Sequence, residues 1–480
     1  MKRRTLLTGM AAATATLSCK PTTRADVGGV VVDDVSRLNE CRVRRVTSCA
    51  TVDDVVAAVL RAKREGVQVI ASGRRHSQGG QCSIDDGVVL DVTPLKKIIA
   101  IDEGPSDSAL TITVQGGASW DDVQRALNPR GLAVRTMQSS NIFTVAGSLA
   151  SNIHGRDVND GVIFSSVRSL TLIDAEGKTR VLAAGDPLLP FVVGGYGLFG
   201  VVVEATLAVT RNTLMQHRTQ IVRAVDVPAL FTREIAGTDA LFIARPSIAP
   251  SSFLDETIVE TWTSTAAAID DAALKLGEEA NVQRDKLVFD ASRRSAAGKE
   301  ARWVLQRQVA TSSMPTVVTR NNAMRPPTTP LLFLNHTAPG DTDIVQEYFV
   351  PAESYGGFLA AATKILLLEK VNVLGLTIRF VKGNDDAVLS FAPVDSFAFM
   401  IYSNMPRTNA GVLVAQRMTQ RLVDAVVAAG GRHYLTYQTW ATPEQLGKAW
   451  PRMAEFLAAK KAHDPGLLFQ SRFYRACANT

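Results

Sequence analysis

With 480 residues, 46% of them apolar and 20% charged, the chain is too long for one hydrophobic core and apolar enough to build at least two. The formal charge of +6 includes Lys2, Arg3 and Arg4, which stand in a segment expected to be removed, and without those three charges about +3 remains. No basic stripe with interleaved aromatics appears, so nucleic acid is excluded as a partner.

Residues 1–22 join a basic start to an apolar Ala/Leu/Thr stretch with small residues, which predicts a secretory signal and a periplasmic or secreted protein. Arg3 and Arg4, followed by Leu6 and Leu7, resemble the twin-arginine signal of the route for folded proteins. Thr16-Leu17-Ser18-Cys19 gives a competing reading, a lipid anchor on Cys19, although the leucine sits one place from its usual position. Cys41, Cys49, Cys82 and Cys477 are read as structural. Cys41 and Cys49 could pair in an oxidising compartment, and the spacing fits no zinc pattern, so no metal site is expected. After residue 20 no uncharged apolar run is long enough to span a bilayer.

Residues 51–66 predict a helix: Thr51 is a cap with Asp54 three places on, Val55, Val56, Val59 and Leu60 form the stripe, and Gly66 is the stop. Strands follow at VQVIASG and DGVVLDVT, and LTITVQGG alternates Leu110, Ile112 and Val114 with threonines as a half-buried strand. A second helix starts at Ser119, with Asp122 at its third position, and ends near Pro129 and Gly131. VRSLTLIDAEGKTRVLA predicts a hairpin turning at Asp174 to Gly177. Beyond residue 212 the glycine loops thin out. ETWTSTAAAIDDAALKLGEEA reads as helix, GLTIRFVKG, AVLSFAPV and SFAFMIYSN as strands, and 410–429 as an amphipathic helix. The whole predicts an α+β protein with a first domain over 40–212, a second with an antiparallel sheet over 213–440, and a tail over 441–480 whose aromatics and basic residues pack back on a ligand site.

A diphosphate is bound by backbone N–H groups with no side chain in the way, which glycine loops at element ends supply. ASGRRHSQGG, after a strand, offers Gly73, Gly79 and Gly80, and TVAGSLASNIHG lines a second surface with small residues. Two such loops suit one long ligand held from both sides. GGYGLFG satisfies a GxGxxG dinucleotide fingerprint, yet VVVEATLAV behind it demands a strand where the fingerprint demands a helix, so NAD binding is rejected.

The order GRRHSQGG, ITVQGGASWDDVQRAL, QSSNIFTVAGSLASNIHG, GGYGLFGVVVEATL resembles the two-part PCMH-type FAD-binding domain of the vanillyl-alcohol oxidase and p-cresol methylhydroxylase superfamily, over about residues 45 to 212. Within it the chain is most similar to the aldonolactone and alditol oxidases and the decaprenylphosphoryl-ribose oxidase branch. The resemblance implies FAD, with Gly73, Arg74, Arg75, His76, Ser77, Gln78 and Gly79 in the pyrophosphate loop. Gly147, Ser148, Ser151, Asn152, His154 and Gly155 would follow the pyrophosphate and ribityl chain, and Val202 would read the adenine end. His76 stands where histidyl-linked members attach the flavin, a residue the ribose-oxidase branch lacks, and no cysteine stands near 140–146 for a second bond.

The catalytic half departs from the pattern. Arg379 matches an arginine near the flavin in alditol and aldonolactone oxidases, but Thr377 replaces their usual glutamate. Tyr437 stands at their lysine, and Tyr434 at a tyrosine of the ribose-oxidase branch. The implied reaction is hydride transfer from a carbon bearing a hydroxyl on a small sugar-like, polyol or lactone substrate, with Tyr437 or Tyr434 as base or relay and Arg379 stabilising negative charge. Oxygen is the expected electron acceptor. A dehydrogenase using a quinone or cytochrome, and a flavin- or ligand-binding protein without turnover, remain as alternatives.

Overall fold

The computed structural model describes residues 29–270, 274–278, 282–312, 314–325 and 338–478, and the leader with Cys19 lies outside them. The fold is α+β, as the pattern predicts. A parallel sheet in the order Arg45–Ser48, Val88–Asp91, Val69–Ser72 opens it. The helix Val52–Arg64, held by the Thr51/Asp54 capping box, lays Val55, Ala58, Val59 and Ala62 on one face with Val69, Val88 and Leu90. Ile70 and Val89 point the other way, toward Val32, Cys41, Val43 and Ile84. Both faces are covered, which is why these strands are apolar without alternation.

The second sheet is antiparallel: Thr179–Ala183, Val167–Ile173, Val201–Arg211, Thr111–Gln115, Ile98–Asp102, with Leu132–Val134 also on Val201–Arg211. VVVEATLAV is thus its central strand. A Cβ on Gly200, at φ +142°, would lie 2.5 Å from the Ile173 carbonyl oxygen, so only glycine admits the chain there. After Asn212 and Thr213 the chain enters an eight-stranded antiparallel sheet, here termed the cap sheet. Its order is Thr316–Thr319, Leu214–Arg223, Glu256–Ser264, Ala240–Pro246, Asn372–Val381, Ser396–Pro406, Asp341–Pro351, Arg432–His433. The helices Tyr355–Leu368 and Asn409–Ala428 bury Phe358, Leu359, Met418 and Leu422 against one face, and the other face turns to the core of the first domain.

Three sequence expectations are corrected. The segment 260–280 is not one helix: its first residues end the strand Glu256–Ser264, paired on both sides, because Val259, Thr261 and Thr263 are β-branched and alternate. AVLSFAPV is a buried loop, not a strand, with Val388 N–H donating to the Pro190 carbonyl and Phe391 stacked on Phe349 at 4.1 Å. Cys41 and Cys49 are free thiols in two separate core clusters on opposite sides of the parallel sheet, so they do not pair.

The tail folds back onto the first domain. Val69 N–H donates to the Leu468 carbonyl and Gln470 N–H to that of Val69, extending the parallel sheet's edge. Arg472 grips Asp85 with two guanidinium nitrogens at 2.6 and 2.9 Å. Among the described residues no helix is long and apolar enough to cross a membrane.

Candidate active site

Two loops close on each other at Thr144. The first leaves the strand Val69–Ser72 at Gly73. The second enters the helix Val145–Ala150, capped by Thr144, whose hydroxyl accepts from Gly147 N–H at 3.3 Å. A Cβ on Gly73 would stand 2.4 Å from Thr144 Oγ1 and one on Gly147 2.9 Å from it, so both glycines are needed for the approach. Between the loops lies a cleft lined by residues of both. It runs from Gly197, Gly200 and Val202 past both loops to Tyr434 and Tyr437.

The first loop has the features of an anion site. Among the described residues the main-chain N–H groups of Arg74, Arg75, His76 and Ser77 have no acceptor. Arg75 is left-handed at φ +55°, which turns successive N–H groups inward as an anion nest. Arg74 and Arg75 are exposed and pair with no described carboxylate. Tyr196 and Asn152 are also left-handed, so three non-glycine residues in this conformation stand at or beside the cleft. These features fit FAD: Arg74 to Ser77 would hold the diphosphate, and Val202 the far end. His76 lines the cleft half-buried, its ring edge-on to Phe143 at 5.0 Å. Burial, and then the charge of Arg74, push its pKa down to about 4, so at neutral pH the imidazole is uncharged with a lone pair free.

The structure separates the expected cofactor residues. Gly73, Arg74, Arg75, His76, Ser77, Gly147, Ser151 and Val202 line the cleft. Gln78 and Gly79 instead tie the loop to neighbours: Gln78 N–H donates to the Thr436 carbonyl and its Oε1 accepts from Val345 N–H, while Gly79 packs under the Tyr437 carbonyl. The Ser148 hydroxyl donates to the Thr144 carbonyl and accepts from Trp120. Asn152 accepts from Phe164 N–H, Gly155 lets Met137 approach, and His154 bonds Glu347. These four stand behind the cleft wall rather than lining it, and His154 Nδ1 is left without a partner among the described residues.

Tyr434 and Tyr437 reach the cleft and Arg379 lies behind them, buried on the cap sheet with its Nε unbonded. The Tyr434 hydroxyl donates to the Ser151 carbonyl at 2.7 Å. The expectation of a tyrosine as base is corrected: burial raises both tyrosines well above the usual phenol value, and Arg379 offsets this only in part at Tyr437. Both are protonated donors at neutral pH. Sequence reasoning missed Glu347, a 2%-exposed carboxylate whose charge bears on Tyr402, Tyr434 and Tyr437. It also missed Thr144, Tyr196 and Thr436. Thr144 and Tyr196 lie inside the glycine motifs quoted above, whereas nothing local marked Glu347 or Thr436.

Residues 43–183 match a family model described as an FAD binding domain. Over 173 residues the chain is 34% identical to decaprenylphosphoryl-beta-D-ribose oxidase of Mycolicibacterium smegmatis, covering 35% of this chain and 37% of that protein. It is 33% identical over 122 residues to alditol oxidase of a Streptomyces species, covering 25% and 28%. It is 27% identical over 159 residues to D-arabinono-1,4-lactone oxidase of Eremothecium gossypii, covering 33% and 30%. The chain therefore spans about a third of the length of the curated relatives it matches. A solved structure of a solvent-stable cholesterol oxidase superposes with a TM-score of 0.72 at 19% identity, over 94% of this chain and 97% of that one. The match and the cleft fall on the same residues: 43–183 match the FAD-binding domain model, and the chain shares the α+β fold of that cholesterol oxidase.

Proposed function

We propose that the protein is an FAD-dependent oxidoreductase that oxidises a CH–OH group of a small sugar-like, polyol or lactone substrate, with oxygen as acceptor. The observation that carries this reading is the cleft's end: it opens at Tyr437 toward a sheet face bearing Arg379 and Glu347. The relatives named above act, by their names, on a ribose derivative, an alditol and a lactone. When bound, FAD supplies the two-electron acceptor that takes hydride from the carbon as the hydroxyl proton leaves and a carbonyl forms.

The chain's own residues do the rest. Protonated Tyr437 would donate a hydrogen bond to the substrate oxygen while the hydroxyl proton passes to water, Tyr434 fixes the Ser151 segment, and Arg379 would stabilise charge developing on that oxygen. Uncharged His76, its lone pair free at the cleft wall, would be the residue that tethers the flavin, the C–H proton lost there passing to water and the electron pair to the flavin and then to oxygen. The twin-arginine leader supports export of the loaded enzyme, for which a covalent flavin prevents loss.

The test is anaerobic mixing of the yellow protein with polyols and lactones. Bleaching of the flavin band, reversed by air with one hydrogen peroxide per substrate, is the expected result. A protein that takes up no FAD, or a loaded one that no hydroxylated compound bleaches, overturns the proposal. Reoxidation by a quinone but not air makes it a dehydrogenase.

A further inference from the structure

The cap-sheet face turned to the flavin domain carries more than the catalytic residues. Strand alternation sends Phe242, Ala244, Val259, Ile378 and Phe399 to the helix-backed core. Arg245, Glu260, Trp262, Thr377 and Arg379 therefore share the opposite face. The pairing of Ala244 with Ile378 sets Arg245 beside Thr377 and Ile243 beside Arg379. Arg156, just past Gly155, lies over the Trp262 ring at 5.1 Å, and that ring stacks on His217 at 4.6 Å.

This face lines a recess. Arg245 keeps 40% of its side chain open to water. A Cβ on Gly375, in register with Tyr402, would touch nothing within 4 Å, so there is open space above the sheet. The Tyr437 hydroxyl, 3.7 Å from Met400 Sδ, connects this chamber to the flavin cleft.

The chamber's charge does not balance. Arg379 is 5% exposed and makes no hydrogen bond or ion pair with a described residue. Arg156 is 6% exposed, donates once, to the Ala323 carbonyl, and leaves its Nε unbonded. Burial and the charges of Arg245 and Arg379 hold its pKa well below normal, so the three guanidinium groups feel one another. Arg302 adds a fourth charge near Arg245. Of the described carboxylates here, Glu260 is committed to Arg245, 3.3 Å from His217, and Glu347 to His154. Enclosed like charges are unfavourable without a counter-ion.

We propose that this chamber takes a substrate anion: the hydroxyl compound carries a carboxylate or phosphate group clamped by Arg156, Arg245 and Arg379. The proposal rests on the oxidoreductase reading and names its substrate class. Its reactive carbon would lie toward Tyr437 and its anionic end toward Arg245.

The experiment titrates the FAD-loaded protein with sodium oxalate and with inorganic phosphate, following the flavin spectrum, and separately measures anaerobic bleaching by glucitol, gluconate and glucitol 6-phosphate. Saturable spectral shifts that weaken with added NaCl are expected, with gluconate or the phosphate ester outperforming glucitol. Arg245→Gln, at unchanged flavin content, should weaken the anion by about 10- to 100-fold, the range of charged hydrogen bonds. Oxalate active and phosphate inert assigns a carboxylate, and the reverse a phosphate ester. Bleaching by glucitol as readily as by its anionic analogues, with oxalate and phosphate silent, overturns the anion site and leaves the oxidoreductase. Anion binding without bleaching by any compound supports the site and counts against the oxidoreductase. Silence in every arm overturns both.

Discussion

His154 Nε2 lies 2.9 Å from Glu347 Oε1, and the two side chains are 3% and 2% exposed. One comes from the loop behind the FAD cleft and the other from the cap strand Asp341–Pro351, with Phe349, Phe391 and Tyr434 packed edge-on to the imidazole. The pair is a polar rivet between the two halves in an aromatic box. Removing one partner strands the other without solvent. Glu347→Ala and His154→Ala should each cost about 3–5 kcal/mol. At about 2–4 °C per kcal/mol the thermal midpoint drops by roughly 6 °C or more, read from flavin fluorescence. Glu347→Gln, which still bonds His154, should recover much of that stability while slowing flavin reduction. Equal midpoints for wild type and Glu347→Ala would show that the rivet carries no load.

The second prediction concerns His76. Acid-precipitated wild-type protein should keep its yellow colour in the pellet, and the peptide containing His76 should carry the mass of FAD. His76→Ala should fold, bind FAD and release it on precipitation. A white wild-type pellet from a fully loaded protein would make His76 a neighbour of the flavin and nothing more.

Gly73 tests the meeting of the two loops. Gly73→Ala puts a methyl 2.4 Å from Thr144 Oγ1, so FAD affinity should fall by about tenfold or more. In the double variant with Thr144→Ala the obstructing oxygen is gone. Affinity should partly return, at about 1 kcal/mol of stability for the lost helix cap. A single variant that binds FAD like wild type would show that the loops separate freely.

Acid sensitivity should trace in part to His433. It is 5% exposed, and burial pushes its pKa down to about 4. The unfolded value is about 6.5, so between these limits the unfolded chain binds the extra proton and stability rises with pH. The contribution is fully present above pH 6.5 and is lost as pH falls through 4, on the order of 3 kcal/mol in all. Asp34, raised to about 6 by burial, works the other way and loses stability as pH rises through 6. The informative quantity is therefore the difference between wild type and His433→Gln. The variant's thermal midpoint should fall less steeply from pH 6.5 to 4. Parallel curves would assign the acid sensitivity elsewhere.

Local chemistry in the sequence determined a good part of this protein. The boxes at Thr51/Asp54 and Ser119/Asp122, the Asp174–Gly177 turn and the strand after GGYGLFG are all present, because each is set by partners within a few residues. The glycine loops pointed to a diphosphate ligand for the same reason, since main-chain donors at element ends need no distant partner, and FAD was what the resemblance of their order implied. Where Ala and Glu suggested a helix from 260, pairing on both edges made its start a strand, and AVLSFAPV lost its ladder to contacts with Pro190 and Phe349. The tertiary structure alone decided that Gln78, Ser148, Asn152 and His154 turn away from the cleft. It likewise decided that Glu347 meets His154 across 193 residues, that Arg156, Arg245 and Arg379 come near enough to feel one another's charge, and that the tyrosines stay protonated. Those outcomes depend on burial and on charges brought together from distant strands, and neither is written in the spacing of any one segment.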